Sequence, residues 1–379
     1  MLKTFLSKRI RGVNLKIKFL KSAAAVLALF LVGCSYNFSQ NERNDRLIYA
    51  MDTVMRITVY GEDSALDGAE AEIERLDALL GFDDATSDIS KINSESSYAS
   101  NNSAYAENNV LSAPGGSQND KILVEVSSDT AELLKKASEI SASTGGAFDP
   151  CIAPVVELWG FYGQKYRVPS QDEIDAELKR VSASGYSVDG NAVAVNAGTR
   201  LDVGGIAKGY TASKLYDLLK ADGIESGTIY LGGSVTVIGT KPDGSPWNVG
   251  IQDPDDPNNP NAYVGYISAT DTSIVTSGSY QRYFTENGVN YHHIIDPKTG
   301  YPADSGLVSV TIVSDDATLC DGLSTALFVM GLDQASDYWR GAQGFEAVFV
   351  TDDGSVYITE GLTYSFTSDR DYDIIYRDR

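Results

Sequence analysis

The chain has 379 residues, enough for one large or two ordinary domains with a sizeable core. Hydrophobic residues make up 42%, an ordinary globular share, but 30 Lys and Arg stand against 52 Asp and Glu, a net charge of −22. So acidic a surface repels nucleic acid, which is therefore not an expected partner, and any anionic ligand must be held by a local device such as a metal or a helix N-terminus.

The N-terminal segment reads as a targeting signal. Seven basic residues (Lys3, Lys8, Arg9, Arg11, Lys16, Lys18, Lys21) precede the first acid, and Ala23–Val32 is an apolar run too short to cross a membrane. The run closes on Leu31-Val32-Gly33-Cys34, which resembles the bacterial lipobox. The expectation is a lipoprotein signal over 1–33, lipidation at Cys34, and a tether over 34–46 that holds an extracytoplasmic domain at the membrane. A plain signal peptide or a short anchor is the alternative. Without residues 1–33 the charge becomes 23 basic against 52 acidic, or −29. Cys151 and Cys320 could pair in an exported protein, but their spacing does not show that they meet.

Met55–Tyr60 carries the β-branched residues of a strand, and Ala65–Leu80 places Leu66, Ala69, Ile73, Leu76 and Leu80 on one helix face. Residues 94–120, rich in Ser, Asn, Ala and Gly without a period, predict a flexible insertion. A helix is expected over Thr130–Ser143. Another follows the capping box of Ser170 and Glu173, running to about Ala183. Ser187–Asn196 alternates around Asp189-Gly190-Asn191 as a hairpin does. Strands are expected near Thr228–Leu231, Val235–Ile238, Val249–Ile251, Val264–Ala269, Val308–Val313, Ala347–Val350 and Ser355–Ile358. Helices are expected at Tyr210–Lys220, Asp316–Met330 and Gln334–Gly341. With no βαβ rhythm, the class is α+β, with mixed, largely antiparallel sheets and packed helices. The domain spans 47–365 and residues 366–379 form a tail.

Four constellations could carry chemistry. In Leu201–Tyr210 a short strand runs through Gly204 and Gly205 into a helix, with Asp202 before and Lys208 after. Such a junction lets backbone N–H groups approach an anion, yet the spacing matches neither common nucleotide fingerprint, and a tight turn with Asp202 and Lys208 paired explains it too. The helix from Cys320 to Met330 is apolar almost throughout, but Asp321, Ser324 and Thr325 share a face. Oxygen ligands of that kind suit Mg²⁺, while a carboxylate meeting a helix dipole or a lysine is the plainer reading. Ala147-Phe148-Asp149-Pro150 followed by Trp159 and Phe161 could wall a planar ligand, or simply pack the core. Finally both histidines of the chain, His292 and His293, precede Ile294-Ile295-Asp296-Pro297, which reads as a buried strand ending in a turn. A Ser/His/Asp hydrolase using Ser277 is disfavoured, because Ser277 lacks a strand–Ser–helix elbow.

Taken in order, these runs resemble the FAD:protein FMN transferase family, ApbE. The matching motifs are Gly-Ala-Phe-Asp-Pro…Leu-Trp-Gly-Phe at 146–161, Asp-x-Gly-x-Ile-Ala-Lys-Gly-Tyr at 202–210, Gly-Gly at 232–233, Thr-Ser-Gly-x-Tyr at 276–280, His-Ile-Ile-Asp-Pro-x-Thr-Gly-Tyr-Pro at 293–302 and Asp-x-x-x-Thr-Ala at 321–326. The resemblance implies a Mg²⁺-dependent enzyme that moves the FMN half of FAD to a Thr or Ser hydroxyl of a target protein and releases AMP. It implies Mg²⁺ ligation by Asp321 and Thr325 with the Gly205 carbonyl, Ser324 adjacent. FAD contacts are implied at Met51, Ala147, Phe148, Asp149, Asp202, Lys208 and Ile295, with Phe82 where a flavin-stacking Tyr is usual. His293 matches the base, and His292 is expected to be a neighbour. FAD pyrophosphate hydrolysis to FMN and AMP, or a flavin-binding lipoprotein without catalysis, are the alternatives.

Overall fold

The computed structural model describes residues 42–101 and 121–377; the signal segment, Cys34 and the greater part of the expected insertion lie outside them. A nine-stranded sheet organises the molecule. Its strands are β1 (Arg43–Ala50), β2 (Thr53–Tyr60), β3 (Ser226–Leu231), β4 (Ser234–Gly239), β5 (Thr272–Gly278), β6 (Leu307–Ser314), β7 (Glu346–Thr351), β8 (Val356–Thr359) and β9 (Asp373–Ile375). They lie side by side in the order in which the chain makes them. Every pairing is antiparallel except β8 with β9. The α+β class with largely antiparallel sheets is thereby observed.

Period-two alternation sends β6 residues to both faces, with a bulge between Leu307 and Ser309 shifting the phase at Val308. Val310 and Ile312 pack with Leu323, Leu327 and Phe328 of a helix, while Val308 and Val313 lean toward a second, three-stranded sheet. That sheet joins Trp247–Gln252, Tyr263–Ala269 and Phe366–Thr367. Helices α1 (Ser64–Leu80), α2 (Asp88–Asn101), α3 (Ser128–Ser143), α4 (Ala153–Leu158), α5 (Gln171–Leu178), α6 (Ala207–Ala221) and α7 (Ala317–Gly341) complete the described elements of regular length. A third sheet, Lys121–Glu125, Ala192–Asn196 and Tyr186–Asp189, contains the expected hairpin with Gly190 at φ +57°.

Several boundaries differ from the sequence reading. The tether was expected to reach residue 46, but β1 begins at Arg43 and pairs with β2 over its full length. Residues 94–101, assigned to the insertion, continue α2 because Ser96 and Ala99 are buried in its inner face as small packing residues. The segment 366–379 is no tail as far as it is described. Phe366 and Thr367 pair with Ile267 and Tyr266, β9 pairs with β8, and the Arg377 guanidinium lies 4.2 Å over the Trp339 ring. The helix expected to reach Ala183 stops at Leu178, although its capping box is formed. The two helices expected before and after Gly331 are the halves of α7, broken where Gly331 takes φ +77° and ψ 168°.

Candidate functional site

Two tight turns and the end of β5 meet at one end of the large sheet. Met51 and Asp52 turn β1 into β2 with φ of +48° and +58°, and Gly232-Gly233 turns β3 into β4 with φ of +55° and +106°. The turns touch: a Cβ on Gly232 would stand 2.3 Å from the Thr53 hydroxyl, so only glycine fits. The Met51 N–H is fixed by the Asp77 carboxylate of α1 at 3.0 Å. A cavity of about 630 Å³ opens here, and every candidate ligand residue within the described part lines it except Ser324.

Helix α6 enters this cavity by its N-terminus. Asp202 accepts the Gly204 N–H at 2.7 Å, folding the glycine turn, and Ile206 supplies no side-chain cap. The orphan N–H of Gly209 instead donates to Asp321 Oδ2 of α7 at 2.8 Å. Asp321, 4% exposed, therefore caps a helix across a helix–helix contact, and its other oxygen lies 4.0 Å from Lys208 Nζ. Lys208 donates to the Gly204 carbonyl at 3.1 Å, so it belongs to the first turn of α6, not to the loop before it. The reading of a carboxylate meeting a helix dipole and a lysine thus describes real contacts, whereas the expected Asp202–Lys208 pair is not formed: Lys208 meets Asp321, and Asp202 is taken by Gly204 and Tyr162.

Thr325 stands one helical turn beyond Asp321 on the cavity wall. A Cβ built on Gly205 would be 3.4 Å from its hydroxyl and 3.2 Å from the Phe148 ring, so the glycine turn rests on both. Ser324 is fully buried behind them, donating to the Asp321 carbonyl at 2.9 Å and pairing with the Ser277 hydroxyl at 2.7 Å. It supports the wall but does not face the cavity. Ser277, set aside as a nucleophile, is the residue that does, and its hydroxyl reaches Thr325 at 3.4 Å. Among the described residues no group of three or more His, Cys, Asp or Glu is placed to share a metal ion. One carboxylate oxygen, a hydroxyl and a backbone carbonyl fit a hard cation that completes its shell with ligand phosphate and water.

His293 lines the same cavity. Its backbone N–H and its ring Nδ1 both meet the Arg282 carbonyl at 3.1 Å. A carbonyl only accepts, so Nδ1 carries the proton and Nε2 keeps its lone pair. The ring is part-exposed only toward the cavity and otherwise enclosed by protein. That burial, with the Arg282 charge, lowers its pKa to about 3. His292 does not line the cavity; its Nε2 meets the Ala303 carbonyl at 3.1 Å and its ring packs on Phe328. The strand expected through Ile295 ends at His292, and Asp296 builds the following turn by accepting the Lys298 N–H at 2.8 Å.

Of the third constellation, Ala147 and Phe148 are buried beside the glycine turn. Asp149 accepts the Cys151 N–H at 2.9 Å, its pKa raised by burial. Trp159 is not a ligand wall: it is fully buried, donating to the Gly300 carbonyl and packing on Tyr291 and Tyr301. Phe161, the other expected wall residue, does line the cavity, and so does Tyr162 beside it, stacked on Phe82. The sequence reading missed Tyr162, Arg282 and Asp77, because a fold contact and not a motif brings each into place; the aromatic run Trp159–Tyr162 was the only available signal. Cys151 and Cys320 are both buried, free thiols.

Comparison with known proteins identifies relatives of the chain. A family model described as the ApbE family matches residues 51–349. The FAD:protein FMN transferase of Treponema pallidum is 36% identical over 246 residues, which cover 61% of this chain and 67% of that one. Its Klebsiella pneumoniae counterpart is 33% identical, with 66% and 78% covered. A crystal structure of the ApbE protein of Thermotoga maritima superposes with a TM-score of 0.70 at 33% identity, covering 84% of this chain and 98% of that chain. A mutant of the Vibrio cholerae flavin transferase ApbE, in which a histidine is replaced by glycine, gives 0.69 at 26% identity with the same coverage.

Proposed function

We propose that this chain, which belongs to the ApbE family, is a flavin transferase that moves FMN from FAD to a Thr or Ser hydroxyl of an exported protein and releases AMP. The observation that carries the reading is one cavity lined together by Asp321, Thr325, Gly205, Lys208 and the neutral His293. Asp321, Thr325 and the Gly205 carbonyl would hold Mg²⁺, which when bound supplies charge neutralisation for a pyrophosphate. Lys208 and the N-terminus of α6 favour the same phosphates. Met51, Phe82, Ala147, Phe148, Asp149, Asp202 and Ile295 would line the FAD site. His293 Nε2 takes the acceptor hydroxyl proton as the oxygen forms its bond to the FMN phosphorus, and the phosphorus–oxygen bond to AMP breaks. The motif Leu31–Cys34 supports export and lipid anchoring at Cys34; no helix among the described residues is long and apolar enough to cross a membrane.

The test is to incubate the protein with FAD, Mg²⁺ and an acceptor carrying an Asp-Gly-x-x-Gly-Ala-[Thr/Ser] segment. Covalent fluorescent flavin on the acceptor, with AMP released in equal amount, is expected. Asp321→Asn keeps an acceptor for the Gly209 N–H, so the fold should survive while metal-dependent turnover falls by about a hundredfold or more. Free FMN with no label would replace the reading by pyrophosphate hydrolysis. Bound FAD with no AMP would replace it by flavin storage.

A further inference from the structure

Tyr162 reaches the cavity from a short turn after α4, between Gly160 at φ +76° and Gly163 at φ +65°. The turn is tightly determined: a Cβ on Gly160 would stand 1.9 Å from the Lys165 carbonyl oxygen. The Tyr162 ring lies 3.9 Å from Phe82, tilted by only 10°, and both rings line the cavity. Its hydroxyl donates to Asp202 Oδ2, and Asp202 Oδ1 accepts the Gly204 N–H at 2.7 Å. A chain of two hydrogen bonds thus runs from an aromatic pair to the glycine turn beside Thr325.

We infer that Tyr162 is a positioning residue for the flavin: backed by Phe82, which is stacked behind it under the Arg200 guanidinium, its ring offers a π-face to the isoalloxazine, and through Asp202 it sets that face's place relative to the glycine turn. The inference rests on the flavin-transfer reading above. A tyrosine serving only the core would be enclosed and bonded to a backbone carbonyl, as Tyr186 is with Leu134. Tyr162 is half-buried, faces the ligand space with its ring, and spends its hydroxyl on a carboxylate that lines the same space. Burial and the Asp202 charge push its phenol well above the usual range, so it stays a donor at any working pH. A planar ligand needs a π-face at one end of the cavity and phosphate-holding groups at the other, at a fixed separation. Tyr162 touches the first and is bonded to the residue that shapes the second.

Two variants separate the roles of the ring and the hydroxyl. Tyr162→Phe keeps the stack and drops the Asp202 bond. FAD affinity, read by flavin fluorescence quenching, should stay within about threefold, while kcat for labelling falls about tenfold, the worth of a hydrogen bond to a charged group. Tyr162→Leu removes the ring. FAD affinity should fall about tenfold, and the shift of the flavin visible bands on binding should shrink, as expected for a lost π-contact. Tyr162→Phe with wild-type kcat, or Tyr162→Leu with wild-type affinity and spectrum, would overturn the inference and leave the transferase reading intact. A wild-type protein that neither binds nor transfers FAD would overturn the underlying reading instead.

Discussion

In the proposed transfer His293 serves as base by geometry more than by affinity for protons. With a pKa near 3 it is neutral throughout the physiological range, and Nδ1–H on the Arg282 carbonyl leaves Nε2 free. Two consequences follow for pH. Labelling activity should show no acid limb near the usual imidazole value of about 6.5, because His293 does not titrate there. Stability should respond instead. The unfolded imidazole binds a proton below about 6.5 and the folded one only near 3, so the native state is favoured fully above the first value and loses this contribution as pH falls toward the second. Thermal unfolding of His293→Gln should therefore fall less steeply between pH 6.5 and 4 than that of the wild type; parallel curves would show that burial does not lower this pKa. The residue types were legible in the sequence. The tautomer was not, because Arg282 lies eleven positions upstream, just before the strand Tyr283–Glu286 that pairs with Val289–His292.

Helices α6 and α7 cross at Gly209, and the crossing makes the site. Any side chain there would place its Cβ 2.3 Å from the Ala317 carbonyl oxygen and 2.6 Å from Asp321 Cβ. Only glycine lets the helices close until a first-turn N–H reaches a carboxylate on the neighbouring helix. Gly209→Ala should cost about 3 kcal/mol or more by overpacking against backbone, and should weaken FAD-dependent labelling even in molecules that remain folded. Calorimetry and the labelling assay check both; a shift under 1 °C would mean that the helices part freely. The elements themselves were largely readable, since α1, α3 and most sheet strands announce their period. The first turn of α6 was not, because Ile206 at its N-cap carries no capping side chain and the cap comes from Asp321. Residues 94–101 misled for a related reason: serine usually marks loops, but here Ser96 packs an inner helix face beside Ala99.

The C-terminal segment binds the molecule together beyond what its charged, tyrosine-rich sequence suggests. Phe366 and Ile375 are buried, one in each of two sheets, and Arg377 donates to the Arg340 and Ala342 carbonyls while covering Trp339. Truncation after residue 365 should lower the unfolding temperature by about 5 °C or more, from the loss of two buried apolar side chains and two strand pairings. An unchanged melting curve would return this segment to the status of a tail. Parallel pairing of β9 with β8 has no signature in so short a strand, which is why it escaped the sequence.

The sheet takes its strands in sequence order, yet β2 ends at Tyr60 and its neighbour β3 begins at Ser226. Everything from α1 through α6 must be laid down before that seam can close. Closing so long a loop adds little to its cost in free energy, because the entropy grows only with the logarithm of length, but pairing this distant in sequence slows folding. The seam carries both turns that border the cavity, the one at Met51-Asp52 and the one at Gly232-Gly233. The ligand chamber is thus completed only when the two ends of this long excursion have found each other, which makes competence to bind FAD a late event in the protein's own assembly.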